Sequence, residues 1–164
     1  MKPGNAARKH ETATPQLDTV LAAFLKHLRE QHNLSDEQIN TLFEQKTSIP
    51  VSAFSSLLST LETVVKYLKE NKRLRNGEIA TLLNRDPRTI WATYHNALKK
   101  FPSSLIVAQT PYHIPADVFR DRSKSTLEAA IMHLIVHYKL SLHEIAVLLK
   151  RDDSTIWITA HRKK

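Results

Sequence analysis

The chain has no cysteine and only two glycines, Gly4 and Gly77, in 164 residues. The first absence excludes disulfide frameworks, thiolate zinc sites and a cysteine nucleophile. With glycine so scarce, no glycine-rich loop can bring backbone amides against a phosphate, which removes the P-loop and dinucleotide-binding folds. Glycine at about 1%, against an average near 7%, also disfavours an all-β protein, whose turns need it. No apolar run approaches the roughly 18 residues of a membrane span. The opening stretch MKPGNAARKHETATPQ carries no apolar core of a signal peptide, so a cytoplasmic, nucleoid-associated location is expected. What the chain does have is positive charge, with 24 Lys and Arg against 16 Asp and Glu, a formal +8, and 41% apolar residues, enough to bury a core. The expected class is all-α.

An internal repeat organises the sequence. Leu61-Glu62 aligns with Leu127-Glu128, Glu78-Ile79-Ala80 with Glu144-Ile145-Ala146, Arg85-Asp86 with Arg151-Asp152, and Thr89-Ile90-Trp91 with Thr155-Ile156-Trp157. Thr93 and His95 meet Thr159 and His161 at the same offset, and upstream Ile49-Pro50 and Phe54 match Ile114-Pro115 and Phe119. Two repeats therefore run over 49–100 and 114–164, joined by a linker over 101–113. A degenerate copy over 17–48 carries Leu21, Phe24-Leu25-Lys26, Leu28 and Leu34 in the same register but lacks the segment that holds the Trp, and residues 1–16 form a flexible tail. The charge follows the repeats. Residues 1–48 hold six basic and six acidic side chains, 49–100 nine and four, and 114–164 nine and six. The whole surplus sits in the two complete copies, which maps where an anionic partner belongs.

Local signals then read as three helices per repeat. Leu61, Val64, Val65 and Leu68, and Leu127, Ile131 and Leu134, have helical period. Ser141-Leu142-His143-Glu144 is a capping box, echoed by Ser35-Asp36-Glu37-Gln38 in the degenerate copy, whereas the middle copy has Arg75-Asn76-Gly77-Glu78 and starts its second helix at Asn76. Asp86-Pro87 is a strong start for a third helix, and Asp152 is expected to cap its counterpart from Asp153. Between the second and third helices stand Asn84 and Lys150. Asn tolerates a left-handed backbone, but Lys is disfavoured there, so the turn at Lys150 is expected to be more open than one built on glycine.

This pattern, above all Leu140-Ser141-Leu142-His143-Glu144-Ile145-Ala146-Val147-Leu148-Leu149 followed by Ser154-Thr155-Ile156, resembles the C-terminal, promoter-reading helix-turn-helix of bacterial sigma factors and, less closely, that of LuxR-type regulators. The resemblance covers about forty residues of each repeat. It implies a fold of two three-helix helix-turn-helix units in tandem behind an N-terminal helical pair. It also implies that the third helices, from Pro87 and Asp153, enter DNA major grooves.

On those helices, 100° steps place Ile90, Tyr94, Ala97, Leu98, Ile156 and Ala160 toward the core. Arg88, Ala92, His95 and Asn96 in one repeat, and Ser154, Ile158, His161 and Arg162 in the other, form the outer face assigned to DNA bases. Three of these four paired positions differ, so the two helices are expected to read different sequences. Thr89, Trp91, Thr155 and Trp157 lie on the flank. Retention of both indoles while the outer face diverges favours packing against the first helix over contact with DNA. Phosphate contacts are expected from Arg85, Lys99, Lys100, Arg151, Lys163 and Lys164, with help from the helix starts.

Other chemistry has weaker support. His133 and His137 share a helix face near His143, but no carboxylate stands where a hydrolytic zinc motif needs it, and no local nucleophile signature exists. No metal, cofactor or catalytic residue is assigned, and the protein is not expected to be an enzyme. The linker can reach roughly 40 Å, enough to span one turn of DNA, about 34 Å, so that one chain fills successive grooves. Double-stranded DNA is thus the expected partner of a transcriptional regulator or architectural factor. The alternative is a helix-turn-helix used for binding RNA polymerase or another protein, with Ile158 and the Trp residues at its apolar centre. RNA fits less well, since its A-form major groove is too narrow. The N-terminal copy, lacking its reading helix, is suited to packing on the next unit or to homo-oligomer formation.

Overall fold

In the computed structural model, residues 14–35, 37–38 and 47–162 are described. They hold seven α-helices and one two-stranded sheet, so the protein is all-α. The chain divides at Phe43 and Glu44 into an N-terminal part and a main body.

In the N-terminal part a helix spans Thr14–His32 and ends before Asn33, whose φ of 50° is left-handed. Ser35 and Gln38 then make both bonds of the capping box: the Ser35 amide donates to Gln38 Oε1 at 2.8 Å, and the Gln38 amide to Ser35 Oγ at 3.2 Å. The tail over 1–13 and the segment 39–46 that would carry the second helix of this copy lie outside the described residues.

The main body contains both repeats, each a trio of helices: Thr60–Glu70, Asn76–Leu83 and Pro87–Lys100, then Thr126–Tyr138, Leu142–Leu149 and Asp153–Ala160. Their starts are set by side chains three residues apart. Ser59 and Glu62 close a capping box, as do Ser141 and Glu144. At Arg75, which has no side-chain acceptor suited to capping, only the reverse bond stands, from its amide to Glu78 at 2.6 Å. Asp86 accepts from the Arg88 amide at 2.7 Å with Pro87 at the first helical position. Asp152, expected to do the same, sits at the cap with extended backbone but makes no side-chain cap bond. The carboxylate that is engaged is the next one: Asp153 accepts from His143 Nδ1 at 2.9 Å and ties the third helix to the second.

The two turns are alike, and the one at Lys150 is as tightly closed as the one at Asn84. Asn84 and Lys150 have φ of 51° and 53°, and the amides of Arg85 and Arg151 donate to the carbonyls of Ala80 and Ala146 at 2.9 Å in both. Packing of Leu83 and Leu149, both buried, imposes the same path on both turns. Lys150 therefore holds a conformation that a Cβ disfavours by roughly 1–2 kcal/mol. Its side chain is exposed, so Lys150→Gly is expected to raise unfolding free energy by about 1 kcal/mol in urea titration. An unchanged or lower midpoint would show that the lysine is not strained.

The repeats do not sit side by side as tethered modules. A short strand, Ser48–Pro50, pairs antiparallel with His113–Pro115, and Ile49 lies opposite Ile114, its own counterpart. Exchanging the repeats maps this ladder onto itself, which is the signature of an approximate two-fold axis. The other contacts obey it. The second helix of the first repeat packs on the 3-10 turn Ala116–Arg120 of the second, the second helix of the second repeat packs on the 3-10 turn Val51–Ala53 of the first, and the two first helices touch each other. Phe54 and Phe119, both fully buried, enter the shared core from these exchanged segments. Residues 101–113 are stitched to this core. Leu105 is buried, Asn71 donates to its carbonyl at 3.4 Å, Ser52 Oγ donates to the Ala108 carbonyl at 2.7 Å, and the Val51 amide donates to that of Tyr112 at 3.1 Å. The segment expected as a linker over 101–113 is thus held against the body at Leu105, Ala108 and Tyr112.

Candidate nucleic-acid interface

The third helices present the residues assigned to the outer face. Ile90, Ala97 and Ile156 are buried, and Tyr94, Leu98 and Ala160 are half-buried. Arg88, Ala92 and Asn96, and Ser154, Ile158, His161 and Arg162, are exposed, with His95 half-buried. Thr89 and Thr155 are exposed at the helix starts.

The indoles are placed otherwise than expected. Trp91 is 54% exposed and Trp157 56%, so neither fills the core. Ile90 and Ile156 already occupy the inward direction, and the next residue, 100° around, points away from it. Each indole stacks instead on the histidine one turn later. The Trp91 and His95 rings are 3.8 Å apart, those of Trp157 and His161 4.5 Å. His95 Nδ1 donates to the Trp91 carbonyl at 2.8 Å and His161 Nδ1 to the Trp157 carbonyl at 2.9 Å. This bond commits the Nδ1 proton to the helix and leaves Nε2 as the nitrogen free to meet a ligand. Each repeat thus exposes a stacked Trp–His platform. The spacing Trp-x-x-x-His, four apart and hence on one helix face, was the signal for it in the sequence.

No match to the chain is found among protein-family models, curated proteins or solved structures.

The basic residues assigned to phosphates divide. Arg85 and Arg151, equivalent by repeat, both reach across the two-fold axis. Arg85 donates to Thr126 Oγ1 at 3.4 Å, and Arg151 donates to the carbonyls of Ser56, at 3.4 Å, and Leu58. Burial lowers the Arg85 pKa, helped by the nearby charge of Arg122. These two guanidiniums join the repeats. Lys100 is also engaged, at 2.8 Å from Glu62. Burial opposes ionisation of Glu62, but Lys100 and the Ser59 amide and hydroxyl outweigh it and hold this carboxyl below its usual range. Lys99 is exposed, as are Arg88 and Arg162. Lys163 and Lys164 lie outside the described residues.

The histidine pair behaves as a helix-surface feature. His133 and His137 stack at 5.1 Å, and burial, with repulsion from His137, lowers the His133 pKa. No group of three or more potential ligand side chains is present among the described residues. No described helix is long and apolar enough to cross a membrane.

Proposed function

We propose that the protein binds double-stranded DNA through the outer faces of the helices Pro87–Lys100 and Asp153–Ala160, as a transcriptional regulator or a nucleoid-associated architectural factor. The observation that carries this reading is the duplicated exposed platform. In both repeats a Trp–His stack stands beside side chains able to read base edges, and a cation lies on the same helix or directly after it: Arg88 and Lys99 in one, Arg162 in the other. An apolar ring edge meets thymine methyls or sugar faces, while Arg and Asn offer bidentate contacts to guanine and adenine. Positive charge concentrated in the two repeats supplies the phosphate attraction. The role is non-enzymatic and cofactor-free, and it places the protein in the cytoplasm at the nucleoid.

Salt titration of binding to random duplex tests it. With at least three exposed cations engaged, log affinity is expected to fall with log salt at a slope of about −3 or steeper. A flat response at micromolar protein would sink the reading. Arg88→Ala is expected to change base preference at one position by about 1–3 kcal/mol, while Lys99→Ala weakens all sequences alike. Equal effects of both on every duplex would remove Arg88 from base reading.

A second reading is favoured by the 63% exposure of Ile158 next to Trp157. The same platform would then dock on RNA polymerase or another protein, or the N-terminal helix, with Val20 and Phe24 exposed, would bring copies together. Salt-insensitive binding to a protein partner, lost on Trp157→Ala, is its expected outcome.

A further inference from the structure

We infer that the target is an imperfect inverted repeat with one fixed spacing, both halves read by a single chain. The inference rests on the DNA reading above and adds the arrangement of the site. It starts from the ladder in which Ile49 faces Ile114 and from the reciprocal seating of each repeat's second helix on the other's 3-10 turn. Such contacts relate the repeats by rotation through half a turn, not by translation. Reading faces related by translation meet direct repeats; faces related by a two-fold axis meet half-sites on opposite strands, as the two subunits of a helix-turn-helix dimer do. Here the dimer is folded into one polypeptide.

Spacing follows from the same packing. The starts of the two first helices, at Thr60 and Thr126, line one cleft of about 420 Å³ together with Arg151 and Thr155. This seats the beginning of the second repeat's third helix against the first repeat. Arg151 bonds across the axis in that cleft, and Arg85 bonds across it to Thr126. With residues 101–113 bound to the core as well, no slack remains for the reading helices to separate.

Departure from perfect symmetry is written in the side chains. Both repeats offer the Trp–His stack, so the half-sites share the bases that the stacks meet. They diverge where Arg88 faces the role of Ser154, Ala92 that of Ile158, and Asn96 that of Arg162. Guanine and adenine preferences belong to the first half, and a thymine methyl and a guanine to the second. A homodimer cannot read such a site asymmetrically. Fusion of the two copies into one chain permits it.

The test is selection of the full chain on a random duplex pool, followed by affinity measurement on designed probes. Expected is an inverted pair of related but unequal half-sites. Five base pairs inserted between the halves turn one through half a helical turn and are expected to lower affinity on the order of 100-fold, toward that of a single half. Selected direct repeats, or affinity indifferent to the insertion, would overturn the inference while leaving DNA binding intact. Failure to retain any duplex at low salt would instead remove the DNA reading and the inference with it. The triple variant Arg88→Ser, Ala92→Ile, Asn96→Arg changes only exposed positions. It is expected to prefer a perfect inverted repeat of the second half-site, and an unchanged preference would count against the arrangement.

Discussion

Glu70→Val is expected to destabilise the main body by about 3–5 kcal/mol, and adding Lys66→Met is expected to bring stability back to within about 1 kcal/mol of the parent. The two residues lie one turn apart on the first helix and pair at 2.6 Å, with the lysine side chain 0% exposed and the glutamate 16%. Tyr94 donates to the same Glu70 oxygen at 3.2 Å, and the lysine nitrogen lies 6.0 and 5.9 Å from the ring centres of Tyr94 and Phe101. Removing the carboxylate alone leaves an ammonium without its counter-charge in a dry pocket, which is the costly event; removing both charges together avoids it. The repeat itself supplies the replacement pair, since Met132 and Val136 stand at the equivalent positions of the second copy. Urea titration of the parent, the single variant and the double variant measures both steps. A double variant as unstable as Glu70→Val would show that the lost element is the tyrosine bond to Glu70 and not the buried charge.

Ile114→Ala is expected to lower stability by about 2–5 kcal/mol and to do so for both repeats at once. Ile114 is 0% exposed and lies on the two-fold axis against Ile49, so its side chain belongs to neither repeat alone. Each repeat carries one tryptophan, which makes the claim measurable. In Trp91→Phe and Trp157→Phe backgrounds the remaining indole reports one repeat, and the two unfolding curves are expected to coincide and to shift together. Separate transitions, with only the Trp157 signal moved, would restore the picture of two modules on a tether. The loss is a large fraction of the 5–15 kcal/mol typical of a folded domain, so the variant tests cooperativity under conditions where the parent is still fully folded.

Much of the local architecture was legible beforehand because its causes span three or four residues. The capping pairs at Ser141 and Ser35 each close over one turn, and the Asp86-Pro87 start lies within two adjacent residues. The repeat announced which segments had to adopt the same form, and the 100° rule separated Ile90 and Ile156 from the exposed residues around them. Where a short-range rule was extended beyond its reach, it failed. Asp152 occupies a capping position without capping, since the second helix offers His143 to Asp153 instead. Lys150 adopts the left-handed turn that its residue type disfavours, because burial of Leu149 outweighs a local preference of roughly 1–2 kcal/mol.

The candidate interface divides along the same line. Side-chain periodicity was enough to find the outer faces, and the four-residue spacing of Trp and His held the stack in plain view. The fate of the cations was not readable. Arg151 meets its partners 93 and 95 positions away, and Lys100 meets Glu62 38 positions away, separations for which no local pattern exists.

By itself, then, the sequence determined an all-α chain, the starts of the second and third helices of each repeat, its duplication and the location of its positive charge, all consequences of composition or of bonds closed within a turn. The tertiary structure decided that the copies interlock about a two-fold axis, that 101–113 is tied to the body through Leu105 and hydrogen bonds, that Arg85, Arg151 and Lys100 bond to distant segments of the body, and that both indoles face outward. Those outcomes depend on which apolar surfaces cover one another once Ile49 meets Ile114, a choice made between distant segments competing for the same core.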